Sequence, residues 1–168
     1  MGTVGEGLLP WSWATDRLAA SRRYWLSTAR PDGVPHAMAV WRIWDTDGIV
    51  LSTGGRSCEA RNLDTDRRCV VTTEDASEAV IVEGVAERIT DTDELARLLA
   101  SHESTYGAGW PAPAANPVLR VRARVVLAVC EDEARFTTTP TRRGLTAESD
   151  AQACAADHRS HAAARRTE

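Results

Sequence analysis

Residues 22–55 read RRYWLSTARPDGVPHAMAVWRIWDTDGIVLSTGG. Two apolar runs flank Pro31-Asp32-Gly33. There the proline presets a turn dihedral and the glycine tolerates a positive one. A third apolar run follows Asp45-Thr46-Asp47-Gly48, a second cluster of turn formers. Runs rich in β-branched and aromatic residues between such clusters read as strands. This stretch therefore predicts a three-stranded meander over about 23–30, 34–44 and 49–53.

The pattern continues on both sides. Upstream, Ser12 is the expected N-cap of a helix running to about Arg22, with Trp13 and Leu18 on its buried face. Downstream, 57–66 reads as a short helix. CVVTTE (69–74) and AVIVEGVAERIT (79–90) read as strands joined by Asp75-Ala76-Ser77-Glu78. Asp91 or Thr92 can cap a helix over 93–106, with Leu95, Leu98 and Leu99 on one face. Residues 106–117 form a Gly/Pro/Ala connector. VLRVRARVVLAVCED (118–132) alternates at first, which sets Arg120, Arg122 and Arg124 on one side of a strand. ARFTTTPTRRG adds a last short strand.

Six antiparallel strands with few helices predict a mainly β protein: a closed or nearly closed barrel with peripheral helices. The expected organisation is a flexible N-terminus (1–9), a single domain over 10–145 and a disordered tail over 146–168. The tail has no large aliphatic or aromatic residue to bury.

The 168 residues are enough for one core without staples. Net charge is −4, which speaks against nucleic acid as a partner. The four cysteines form no CxxC pair, so neither zinc nor a disulfide framework is expected, and a cytoplasmic location is the simplest. The start of the chain lacks the basic and apolar regions of a signal peptide, and no apolar run is long enough to span a membrane. All 20 basic residues are arginine. Schiff-base lysines and P-loop lysines are thereby excluded.

The most informative short segment is GGRSCEARNL (54–63). A helix start offers unpaired N–H groups and the positive end of the dipole. Ser57 adds a hydroxyl, and Arg56 and Arg61 add forked donors suited to phosphate or carboxylate. Glu59 between them has the wrong sign for such a role. An ordinary helix start with solvated arginines fits the same spacing. His36 lies mid-strand without a visible nucleophile or orienting carboxylate. HRSH (158–161) places two histidines three apart, but in the expected tail. Trp41 and Trp44 fall on opposite faces of one strand, so at least one should face a ligand, a partner subunit or solvent.

Taken in order, YWLSTARPDGVPHAMAVW, LSTGGRSCEARNL, CVVTTE and VEGVAERIT resemble the pyridoxamine 5′-phosphate oxidase-like FMN-binding split barrels, and more closely their flavin/deazaflavin (F420-dependent) oxidoreductase branch. The resemblance covers about residues 8–143. It implies a six-stranded antiparallel split barrel that forms a homodimer, with a cofactor in each interface cleft. That cofactor would be coenzyme F420, or alternatively FMN, serving hydride transfer with a small organic substrate. His36, Met38, Ala39, Val40 and Trp41 would run along the ring. Ser52, Thr53, Arg56, Ser57, Cys58, Glu59, Arg61 and Asn62 would hold the phosphate or ribityl chain. No catalytic acid or base is implied. Where that family carries Arg-Lys, this sequence has Cys58-Glu59. Arg56 compensates, the cofactor sits differently, or binding is lost. The last outcome would leave a non-catalytic binding protein or a cofactor-free barrel.

Overall fold

The computed structural model describes residues 9–45, 48–107, 115–132 and 135–137. Helix α1 (Trp11–Ala20) precedes the meander β1 (Arg23–Ala29), β2 (Pro35–Asp45) and β3 (Gly48–Ser52). Then follow α2 (Cys58–Thr65), β4 (Arg68–Thr73), β5 (Glu78–Arg88), α3 (Thr92–Tyr106), β6 (Val118–Asp132) and the short β7 (Arg135–Thr137). All pairings are antiparallel, in the order β3-β2-β1-β4-β5-β6-β7. A further β3–β6 ladder, from Ile49↔Val121 to Ser52↔Val118, closes the first six into a ring, with β7 outside it on β6.

Alternation decides which side chains fill the ring. On β1, Tyr24, Leu26 and Thr28 are buried while Trp25 is half exposed. Leu26, Leu51, Val71, Val80, Val82 and Val121 meet in the interior, and α1 adds Ala14 and Leu18. β3 is buried on both faces. Ile49 and Leu51 point into the barrel, whereas Val50 packs outside it with Ile89, Val118 and the α3 residues Leu95 and Leu98. Helix α3 is thus a cover over the outer face of β3, capped by the Asp91 side chain on the Glu94 N–H and closed by left-handed Gly107.

Two sequence expectations change. The α1 N-cap is Pro10, not Ser12: the fixed proline dihedral ends the extended segment and its carbonyl accepts from the Trp13 N–H. The C-terminal end of α1 is held by Arg42 of β2, whose guanidinium donates to the carbonyls of Ala19 and Ser21. The arginine stripe of β6 is broken. A β-bulge shifts the register at Glu83/Gly84, so Ala123 and Val125 face β5 in succession and Arg124 is the extra residue. Gly84 is required there, because a Cβ would lie 2.4 Å from the Arg122 carbonyl oxygen. Arg120 is buried against Glu94 at 2.6 Å, and exposed Arg122 pairs with Glu87 at 2.8 Å. Arg120 and Arg122 are therefore engaged within the chain, and Arg124 is exposed. The tail 146–168, the HRSH pair and Trp110 lie outside the described residues, as does the Trp44 side chain.

Candidate functional site

β2 and β3 diverge where α2 begins, and a cleft of about 300 Å³ opens between them. One wall is the β2 strip Met38, Ala39, Val40 and Trp41. Met38 and Trp41 are 43% and 53% exposed, so this wall is apolar and open. The Trp41 ring stacks on buried His102 of α3, with centroids 6.0 Å apart and planes 17° from parallel. Burial lowers the His102 pKa, which keeps the imidazole neutral at pH 7.

The other wall is the corner Ser52, Thr53, Gly54 and Glu59, joined by Asn116. The double glycine explains how Asn116 arrives. Gly55 N–H donates to the Ala115 carbonyl at 3.1 Å, and a Cβ on Gly55 would stand 2.5 Å from that oxygen. Only glycine lets the connector come this close.

Glu59 organises the corner. It lies in the first turn of α2, only 3% exposed. Thr53 donates its hydroxyl proton to the carboxylate, and His36 Nε2 approaches the other oxygen at 3.2 Å. Desolvation pushes the Glu59 pKa up, but bonds from Thr53, its own backbone N–H, Ser57 and His36 outweigh it, and the net shift is downward. The carboxylate is ionised at neutral pH, so His36 Nε2 is the donor of that pair. Thr53 has one proton and gives it to Glu59. The single Ser57 proton is then shared between Thr53 Oγ1, 3.0 Å away, and the Glu59 carboxylate, while the Ser57 oxygen caps the Ala60 N–H. Every hydroxyl at the helix start is spoken for inside the chain.

Seven of the thirteen residues expected at a cofactor line this cleft: Met38, Ala39, Val40, Trp41, Ser52, Thr53 and Glu59. His36 and Ser57 stand behind the lining, bonded to Glu59 and Thr53. Asn62 is buried away from the cleft and donates to Thr28 of β1 at 2.9 Å, fixing α2 to the barrel, with Cys58 Sγ 4.0 Å from its Oδ1. Arg56 and Arg61 are exposed, and Arg61 Nη1 folds back onto the Arg56 carbonyl at 2.8 Å. The structure adds two residues that sequence reasoning missed. His102 follows Leu95 and Leu98 at helical spacing, so the α3 stripe already led to it. Asn116 sits in an irregular connector with no periodicity to mark it. No cluster of three metal-ligating side chains exists among the described residues.

A family model for pyridoxamine 5′-phosphate oxidase matches residues 14–130, from α1 through most of β6. The chain belongs to the pyridoxamine 5′-phosphate oxidase family. Its solved structural relatives are diverse in what they are. A conserved hypothetical protein from Mycobacterium tuberculosis is 24% identical, over 89% of this chain and 99% of that one, with a TM-score of 0.65. A FAD-binding protein from Mesorhizobium loti is 19% identical, over 70% and 92%, with a TM-score of 0.56. The heme storage protein HutZ of Vibrio cholerae is 15% identical, over 67% and 85%, with a TM-score of 0.53. No curated protein sequence matches. At these identities the likeness establishes the split-barrel fold and nothing finer. The family has flavin-binding members, and its ring of six strands is the one seen here.

The corner does not fit a phosphate group as it stands. A buried anion occupies it, and the donors that a phosphate would need already serve that anion. The β2 strip, flat and apolar with an aromatic ring at its end, does fit a planar heterocycle.

Proposed function

We propose that this chain is an oxidoreductase that binds a flavin-type ring along β2, with coenzyme F420 as cofactor and FMN as the alternative. The observation that carries the reading is the cleft itself. An open apolar strip ending in the Trp41–His102 stack lies beside a polar corner, in a family with flavin-binding members. The cofactor, when bound, supplies the hydride chemistry. The chain's own residues do the rest. Met38, Ala39 and Trp41 form an apolar seat, His102 backs the Trp41 ring, and Thr53, Asn116 and Glu59 define the polar end. At the phosphate position itself F420 brings less charge than FMN: a phosphodiester carries one negative charge where a terminal phosphate carries up to two.

The active unit is a homodimer. Trp25 and Trp41 stand on the outer face of β1 and β2, diagonal to one another across the ladder, and both are about half exposed. A second copy would cover them and complete the open wall. The substrate is a small molecule, and the setting is the cytoplasm. No helix among the described residues is long and apolar enough to cross a membrane. Fluorescence titration with F420 and with FMN tests the proposal. Saturable binding of F420 is expected, and its absence at roughly 50 μM would remove the cofactor assignment. Light scattering of the same sample should give twice the chain mass.

One observation favours a second reading. Glu59 fills the corner, and a barrel that holds a ring without turning it over would tolerate that change. Substrate-independent binding with no reduction of any electron acceptor would support this non-catalytic or cofactor-free alternative.

A further inference from the structure

We propose that Glu59 makes the inner end of the cleft a filter on ligand charge. The site takes a ring-bearing ligand whose tail ends in a hydroxyl or another hydrogen-bond donor, and rejects one whose tail ends in a phosphate. This rests on the ring-binding reading above and names the class of ligand that reading leaves open.

Among the described residues ten line the cleft, and none of these is arginine. Its two titratable members are Glu59 and His102. His102 is neutral, because burial disfavours its cation. Glu59 is ionised, because its hydrogen bonds overcome the opposing effect of burial. The lining therefore carries one net negative charge. An ionised carboxylate is an acceptor only, so a ligand atom reaching it gains by donating and loses by bringing a second anion.

The hydroxyl and helix-start N–H donors described beside Glu59 are already engaged inside the chain. The Thr53 and Ser57 hydroxyl protons are committed to Glu59 and Thr53. The Ala60 N–H at the start of α2 is taken by Ser57. The Arg61 guanidinium reaches the Arg56 carbonyl on the exposed side of the loop. The corner is internally satisfied, and it asks of a ligand only a donor.

Riboflavin and FMN form the natural pair of probes, since they share ring and ribityl chain and differ in the terminal phosphate. Equilibrium titration of the full-length protein should show riboflavin bound about tenfold or more tightly than FMN. In Glu59→Gln the carbonyl still accepts from Thr53 but the charge is gone, and the two affinities should converge to within about threefold. In Glu59→Lys the order should invert. A second readout needs no ring. At constant ionic strength, inorganic phosphate should leave the melting temperature of the wild type unmoved and raise that of Glu59→Gln. Wild-type protein that binds FMN as tightly as riboflavin, or that phosphate stabilises as much as the variant, overturns the filter. If neither flavin binds any form, the ring-binding reading falls, and the phosphate melting curves alone decide the charge filter.

Discussion

The two walls of the cleft are built by opposite rules. The β2 strip is apolar, half exposed and held by regular ladder bonds to β1, so its side chains can change without disturbing the backbone. The β3–α2 corner is polar and buried. Each of its side chains satisfies another: Ser57 bonds to Thr53, Thr53 to Glu59, and Glu59 to His36 on the next strand. The open wall invites a ligand, and the closed one has already bonded itself. A buried polar network is worth its bonds only while every member has a partner. The strip should therefore answer to mutation in binding, and the corner in stability.

The largest effect is expected at Glu59. Glu59→Ala removes the acceptor that both the Thr53 hydroxyl and the His36 Nε2–H use, and breaks the network that links β2, β3 and α2. Unsatisfied buried groups cost about 1–3 kcal/mol each, so a total near 2–3 kcal/mol is expected. That corresponds to a melting temperature roughly 6–10 °C lower. Trp41→Ala, on the open wall, should cost less than about 1 kcal/mol, since half of that ring is already in water. Thermal melts of the two variants side by side break the comparison if Trp41→Ala proves the more damaging.

Asn62 sharpens it. The family resemblance puts Asn62 at the cofactor, whereas the structure spends its amide on Thr28. Asn62→Leu leaves that hydroxyl without its partner and loosens α2 from β1. A cost of about 1–2 kcal/mol is expected in urea denaturation, with ligand affinity unchanged in the folded fraction. A loss of affinity at full stability would return Asn62 to the ligand.

Acid should separate the walls again, at two different pH values. His102 has a folded pKa below its ordinary 6.5, because burial disfavours the cation. Its unfolded form binds the proton first, so its contribution is present above about pH 6.5 and fades as pH falls towards the folded value. Glu59 also has a folded pKa below its ordinary 4.5, set by the hydrogen bonds that outweigh desolvation. Its contribution is present above about pH 4.5 and is lost as pH falls through the lower folded value. Chemical denaturation from pH 8 to pH 3 should show stability declining in two stages. His102→Gln should flatten the upper stage and Glu59→Gln the lower. A single stage unaffected by either variant would show that neither wall governs the acid response.

The barrel was legible in the sequence because two signals agree along most of it. Pro31-Asp32-Gly33 and Asp45–Gly48 punctuate the meander, and alternation along β1 and β5 matches the observed burial. The strand ends shift by a residue or two, as fraying ends do. The ligand strip came from the family resemblance rather than from parity, since the consecutive residues 38–41 alternate between the two faces of β2. The corner was not. Spacing put Ser57, Glu59, Arg61 and Asn62 on one short helix, but four residues of helix span more than one turn. They point in different directions: Glu59 to the cleft, Asn62 to β1, Arg61 to solvent. Which of them meets a ligand depends on where β2 and β3 stand, and that is set by ladder contacts distant in sequence. The bulge at Glu83/Gly84 is similar. A glycine inside a strand hinted at it, yet only the β5–β6 register shows that it removes Arg124 from the line of its neighbours.

The smallest effect is expected at Arg61, the residue whose chemistry makes it look most suited to an anion. Its side chain is exposed, does not line the cleft, and donates to the Arg56 carbonyl within its own loop. An exposed hydrogen bond between neighbouring loop residues exchanges readily for water, so Arg61→Ala should change stability by less than about 0.5 kcal/mol. For binding, two accounts divide. If Arg61 swings into the corner when a ligand arrives, it must leave the Arg56 carbonyl and lie beside Glu59. The ion pair it could form there would neutralise the carboxylate and let a phosphate approach. Arg61→Ala would then weaken FMN by about tenfold while sparing riboflavin, and added salt would shrink the difference. If Arg61 stays where the structure places it, both ligands lose less than about threefold, and salt changes neither. The second outcome follows from an anionic corner whose donors are already committed. Titrating both flavins against Arg61→Ala at low and high salt distinguishes the two, and a selective, salt-sensitive loss of FMN would mean that the corner opens on binding.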